Sequence, residues 1–189
     1  MDISLWIIVD VSGSMNEMGK IHLQRNLCRF ANQLRKIDQE KYTGVGISFY
    51  VWGLNVSRVI PEESGDIPAF VSEGTLNFSA LVNHLSKHLS EVEDLRVLIL
   101  SDGNFERKGI TNFTKWKSDH EKLLIRTVAI GADANLFNLK KISSNETVFE
   151  AENIASAINA TIWGTDEPMP TPESIAQILQ AETGENWDV

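Results

Sequence analysis

The sequence predicts an α/β fold: a doubly wound, mainly parallel sheet with helices on both faces and one antiparallel edge strand. Three observations lead there. Residues 5–10 and 97–101 are nearly continuous apolar runs rather than alternations, the pattern of strands covered on both faces. Segments of helical period separate the strand-like runs, and that alternation builds parallel sheets. One connection departs from it. Residues 45–52 are followed by residues 56–60 after only Gly53, Leu54 and Asn55, too few for a helical crossover, so this pair forms a hairpin.

The elements follow in order. Residues 5–10 make the first strand. Leu23, Leu27, Phe30, Leu34 and Ile37 recur every three or four residues and mark the apolar face of a first helix. The hairpin comes next, then a second helix on Leu81, Leu85 and Leu89. Residues 97–101 and 125–130 are further strands, and helical patterns at 136–142 and 154–162 flank a short strand around Val148 and Phe149. The order is Rossmann-like. After Trp163 the composition shifts. Residues 164–172 hold Pro168, Pro170 and Pro172 and read as a linker, after which a short amphipathic helix is expected through Ile175, Ile178 and Leu179 to Gly184. One domain is thus expected over residues 1–163, with an acidic tail over 164–189.

Composition narrows the function. Of the 189 residues, 42% are hydrophobic and 23% charged, the balance of a globular protein. No apolar run approaches the roughly 18 residues that span a bilayer. The chain enters a strand pattern at Ile3 without the basic segment and cleavage site of a secretory signal, so a cytoplasmic protein away from membranes is expected. The single cysteine, Cys28, permits no internal disulfide and suits a reducing compartment; among apolar neighbours it reads as a buried structural thiol. All 17 Lys and Arg precede residue 164, alongside 20 of the 26 acids, which leaves −3 on residues 1–163 and −6 on the tail. No basic block marks a nucleic-acid partner.

In an open α/β sheet, ligands bind beyond the carboxyl ends of the strands, where the winding reverses. The first strand ends there in Asp10-Val11-Ser12-Gly13-Ser14, three short oxygen-bearing side chains along a turn that Gly13 permits. The strand 97–101 leads into Asp102-Gly103, which puts a second carboxylate at the same edge. Gly74-Thr75, ahead of the Leu81 helix, adds a third hydroxyl. Asp10, Ser12, Ser14, Thr75 and Asp102 are therefore the candidate metal ligands. An all-oxygen set of two carboxylates and three hydroxyls suits a hard cation such as Mg²⁺ or Mn²⁺, whereas zinc favours His and Cys.

At these residues the sequence resembles the von Willebrand factor A domain with its metal-ion-dependent adhesion site. That site is written Asp-x-Ser-x-Ser, a Thr after Gly ahead of a helix containing Ala-Leu, and an Asp in a strand-end Thr/Ser-Asp-Gly. Asp10, Ser12, Ser14, Thr75 with Ala80-Leu81, and Asp102 in Ser101-Asp102-Gly103 match it. The resemblance covers about residues 1–163. Within the family the chain is similar to bacterial stand-alone members of tellurium-resistance and related stress operons, on Val128-Ala129-Ile130-Gly131-Ala132-Asp133-Ala134-Asn135, Leu139-Lys140-Lys141-Ile142 and Ala160-Thr161-Ile162-Trp163. It departs at Asn104-Phe105-Glu106-Arg107, where many relatives carry a Pro-rich or acidic loop. The resemblance implies that Ser12, Ser14 and Thr75 offer neutral oxygens while Asp10 and Asp102 act through bound water. It implies further that a Glu or Asp of a partner protein completes the coordination. The partner expected by analogy is encoded nearby: a kinase, a phosphatase or a stress-operon protein.

Other readings fit less of the sequence. Asp10 and Asp102 taken singly are ordinary strand-end residues. A metal-dependent phosphoryl-transfer enzyme could use Asp10 as nucleophile at the same site, but the haloacid-dehalogenase pattern needs an Asp where Ser12 stands. The chain is therefore expected not to be an enzyme. His84 and His88 lie four apart without a following Glu and read as a solvated helix flank. Gly44-Val45-Gly46 lacks a third glycine, no Gly-x-x-x-x-Gly-Lys occurs, and Ser14 has no Gly-x-Ser-x-Gly context. Trp6, Trp52, Trp116 and Trp163 sit among apolar neighbours and are expected in core or helix seams.

Overall fold

The computed structural model describes residues 2–165, apart from the Arg35 side chain; the expected tail helix at Ile175, Ile178 and Leu179 lies outside the described residues. Six strands form one sheet: β1 (Ile3–Asp10), β2 (Val45–Trp52), β3 (Val56–Val59), β4 (Asp94–Ser101), β5 (Leu124–Ala129) and β6 (Val148–Glu150), in spatial order β3-β2-β1-β4-β5-β6. All neighbouring pairs are parallel except β2 and β3, whose antiparallel register pairs Phe49 with Val59 and Trp52 with Val56. The hairpin expectation therefore holds, with β3 at the edge. Among the described residues five α-helices flank the sheet: α1 (Lys20–Ile37), α2 (Phe78–His88), α3 (Arg107–Ser118), α4 (Leu136–Ile142) and α5 (Ile154–Trp163). Among the described residues no helix is long and apolar enough to cross a membrane.

The apolar runs of the central strands divide their side chains between two cores. Leu5, Ile7 and Val9 of β1 join Leu98 and Leu100 of β4 beneath Leu27, Cys28 and Ala31 of α1 and Ala157 and Ile158 of α5. Trp6 and Ile8 face the other way, with Val97 and Ile99, onto Leu81 and Leu85 of α2, Ile110 and Phe113 of α3, and Ile142 of α4. Strict alternation of direction along a strand puts apolar residues on both faces, so a doubly covered strand has no polar positions to show.

Four expectations need correction. The sequence showed no helix between β4 and β5, yet α3 packs there. The apolar repeat of α1 coincides only in part with its buried face: Leu27 and Leu34 pack into the core, but Leu23 and Phe30 are over a third exposed and Ile37 is 77% exposed, while Lys20, Gln24, Cys28 and Ala31 point inward. Gln24 is drawn in because its Nε2 donates to the Leu100 carbonyl at 2.9 Å. Trp163 is 47% exposed rather than in a seam. His84 and His88 also differ from a solvated flank, since both rings pack against Trp6 at centroid distances of 5.3 and 5.2 Å.

Candidate metal site at the strand ends

The strand order reverses between β1 and β4, which run side by side, so the residues ending them share one crevice. Asp10 is the last residue of β1 and Asp102 follows the last residue of β4. After β1 the chain turns into a short 3-10 segment (Gly13–Gly19), and the Gly13 amide donates to the Gly74 carbonyl at 2.6 Å. The Glu73 amide donates to Val11 at 2.7 Å, and the Ser72 hydroxyl to the Ser12 carbonyl at 3.0 Å. These bonds hold the loop carrying Thr75 against the loop carrying Ser12 and Ser14. Thr75 lies in that loop and not at the mouth of α2, whose N-cap is Asn77, accepting from the amides of Ser79 and Ala80.

The hydroxyls and the carboxylates occupy different depths. Ser12, Ser14 and Thr75 line a cavity of about 200 Å³, walled by Phe78, Asn104, Phe105 and Glu106. The Ser12 and Ser14 Oγ atoms stand 3.2 Å apart. Asp10 is fully buried behind them: its Oδ1 accepts from the Ser12 amide at 2.7 Å and its Oδ2 from the Ser101 hydroxyl at 2.5 Å. Burial pushes the Asp10 carboxyl up to about 6, against the lowering effect of the Ser101 and Ser12 hydrogen bonds, and the nearby Asp102 charge adds to the rise.

Asp102 is buried too, but its partners are stronger. Burial alone would raise its pKa; bonds from the Asn104 amide, Lys20 and Ser14 hold it below the ordinary carboxylate value. The Asn104 amide reaches Oδ1 and the Asn104 side chain Oδ2, each at 3.0 Å, and Lys20 Nζ reaches Oδ2 at 2.9 Å. Lys20 is 1% exposed and also bonds Asp133 Oδ2 at 2.7 Å. Burial pulls its ammonium down, and the two carboxylates more than offset that, so its pKa lies above the ordinary lysine value.

All five residues that the sequence nominated thus meet at one edge, and the donor set fits a hard divalent cation: three uncharged oxygens at a cavity with two carboxylates behind them. Among the described residues no cluster of three or more His, Cys, Asp or Glu side chains is placed to hold a metal, so such a site depends on the hydroxyls. Sequence reasoning missed Lys20, Ser101 and Asn104. Ser101 and Asn104 adjoin Asp102 and could have been read from that motif; Lys20 carried no signal, since a lysine opening a helix reads as solvated.

Solved structures share this architecture. An ArnB paralog, VWA2, from Sulfolobus acidocaldarius matches over 86% of this chain and 45% of its own, at 18% identity and a TM-score of 0.59. The mussel byssus protein PTMP1 with a zinc occupied MIDAS motif matches over 85% and 45%, at 13% identity and 0.59. Manganese-loaded TRAP protein from Plasmodium vivax matches over 85% and 73%, at 16% identity and 0.60. The fold is that of a von Willebrand factor A domain. The chain spans under half the length of the first two structures. No family model matches the sequence, and no curated protein does.

Proposed function

We propose that this von Willebrand factor A fold is a protein-binding module that holds Mg²⁺ or Mn²⁺ through Asp10, Ser12, Ser14, Thr75 and Asp102. The observation that carries this reading is the layering of the site, with neutral hydroxyls at the cavity and both carboxylates behind them, committed to other donors. A cation bound there keeps its electrophilic character and supplies an attachment point for a Glu or Asp side chain of a partner. The chain's own residues do the rest. Ser12, Ser14 and Thr75 orient toward the entering group, and Phe78 and Phe105 wall the cavity with apolar surface that limits water. That zinc and manganese occupy related structures of this fold supports the choice of a divalent ion.

The same geometry disfavours phosphoryl transfer. Asp10, the only nucleophile that reading offers, is fully buried with both oxygens engaged by Ser12 and Ser101. We assign the chain to the cytoplasm on its single, buried cysteine, and its partner to a protein encoded nearby in a bacterial stress or tellurium-resistance system on the residue matches around 128–135. Mn²⁺ titration of the full chain, followed by electron paramagnetic resonance, tests the site. Saturable binding that is weak alone, and lost in Ser12→Ala and Thr75→Ala, is expected; binding unaltered in both variants overturns the assignment. Affinity capture from the native host with Mg²⁺ and with EDTA then identifies the partner, whose binding should tighten the metal, since coupling between two ligands is reciprocal.

A further inference from the structure

The metal-site reading leaves a buried lysine unexplained. Lys20 opens α1, yet its side chain is 1% exposed and crosses from the first loop to the ends of β4 and β5. Its ammonium sits 2.9 Å from Asp102 and 2.7 Å from Asp133, whose own side chain is 43% exposed. The path is built for it. At Gly131, with φ +92°, a Cβ would stand 2.8 Å from Lys20 Cε, so any larger residue there would displace the lysine. The Asn135 amide donates to the Asp102 carbonyl at 2.7 Å and holds the loop carrying Asp133 over the site.

A carboxylate has about four lone-pair positions. In Asp102 three are taken by the Asn104 amide, the Asn104 side chain and Lys20. Direct ligation by Asp102 Oδ2 would compete with two of these bonds, and its charge already faces a buried cation. We propose, on the basis of the metal-site reading, that Lys20 is a positioning residue of that site: it neutralises Asp102 and fixes it as an outer carboxylate. The consequence is twofold. Fewer net negative charges surround the ion, so the chain alone holds it weakly. The ion therefore retains more positive charge toward an incoming acidic side chain.

The two effects have opposite signs, which separates this role from a structural strap. Removing the lysine charge should tighten the metal and weaken the carboxylate. The experiment titrates Mn²⁺ into the full-length wild type, Lys20→Met and Lys20→Arg, then adds acetate to each loaded protein and follows broadening of its methyl resonance. Lys20→Met should bind Mn²⁺ about tenfold tighter and acetate severalfold more weakly, as expected for losing one unit charge at low effective dielectric. Lys20→Arg should stay near wild type on both. If Lys20→Met loses affinity for both, or changes neither, Lys20 is only a strap and the inference fails. Should Lys20→Met not fold, Asp133→Asn, a half-exposed position, carries the comparison. It leaves Lys20 to Asp102 alone and should weaken Mn²⁺ by a few-fold while strengthening acetate; no change overturns the inference. A wild type that binds no Mn²⁺ would instead overturn the metal-site reading itself.

Discussion

Asp10 carries its charge where water does not reach it. Its pKa is raised from 3.8 to about 6 by burial, so the folded chain favours the protonated form. Whatever stability that shift lends is present below 3.8 and lost as pH rises through about 6. At neutral pH the apo domain is therefore held back by this carboxylate. Asp10→Asn should raise the melting temperature in EDTA at pH 7.5 by the equivalent of about 1–3 kcal/mol, give no gain at pH 4, and abolish Mn²⁺ binding. A lower melting temperature at pH 7.5 would mean that its hydrogen bonds outweigh its desolvation. His84 works in the opposite range. Burial first, then the charges of His88 and Lys87, lower its pKa from 6.5, and its ring lies 5.0 Å from Tyr50. The neutral ring's contribution is present above about 6.5 and lost as pH falls below it. Wild type should lose a few degrees more than His84→Phe between pH 7 and pH 5. Parallel melting curves would assign the pH response elsewhere. At this scale the shared edge of the five candidate residues was legible because each stands in a short motif whose spacing fixes its place. Lys20 was not, because its burial depends on three loops meeting over it.

The central strands β1 and β4 were readable from their apolar runs, since doubly covered strands expose no polar face, whereas two helices misled. In α1 the apolar stripe and the buried face differ because polar Lys20 and Gln24 bond inward, to Asp102 and to the Leu100 carbonyl. A pattern of hydrophobicity cannot register a polar residue that is buried because it has a partner. In α3, Gly109 and a scatter of Thr, Asn and Lys hide the helix, and only Ile110, Phe113 and Trp116, three residues apart, disclose it. Gly109 is there for contact rather than conformation: a Cβ would clash with the ring edge of Phe78, where α3 meets α2. Helix propensity favours Gly109→Ala by roughly 1 kcal/mol, but the clash should dominate. We expect a net destabilisation of about 1–3 kcal/mol in urea unfolding, the usual cost of overpacking. A stabilised variant would show that Phe78 has room to move, and the wall of the cavity beside Thr75 with it.

Over the whole molecule, both cores close within the described residues: α1 and α5 cover one face of the sheet, and α2, α3 and α4 the other. No strand is left without its neighbour in the order β3-β2-β1-β4-β5-β6. We propose on that ground that the fold does not need residues 166–189, whose six acids, lack of bases and few apolar side chains cannot build a core of their own. A chain ending at residue 165 should fold and bind Mn²⁺ as the full chain does. Its melting temperature reports what the tail contributes. Leu23 and Phe30 of α1 are over a third exposed, Ile37 is 77% exposed and Trp163, where α5 ends, 47%. If Ile175, Ile178 and Leu179 cover part of that apolar surface, truncation should lower stability by about 1–3 kcal/mol, the range for partial burial of a few aliphatic side chains. If the tail serves a partner instead, melting stays fixed and the complex weakens. If its acids reach the metal of a second molecule, Mn²⁺-dependent association of the full chain should vanish on truncation, a change visible by light scattering. Because the three readouts move independently, one set of measurements on two chains assigns the tail. A truncated chain that fails to fold would place the end of the domain beyond Trp163.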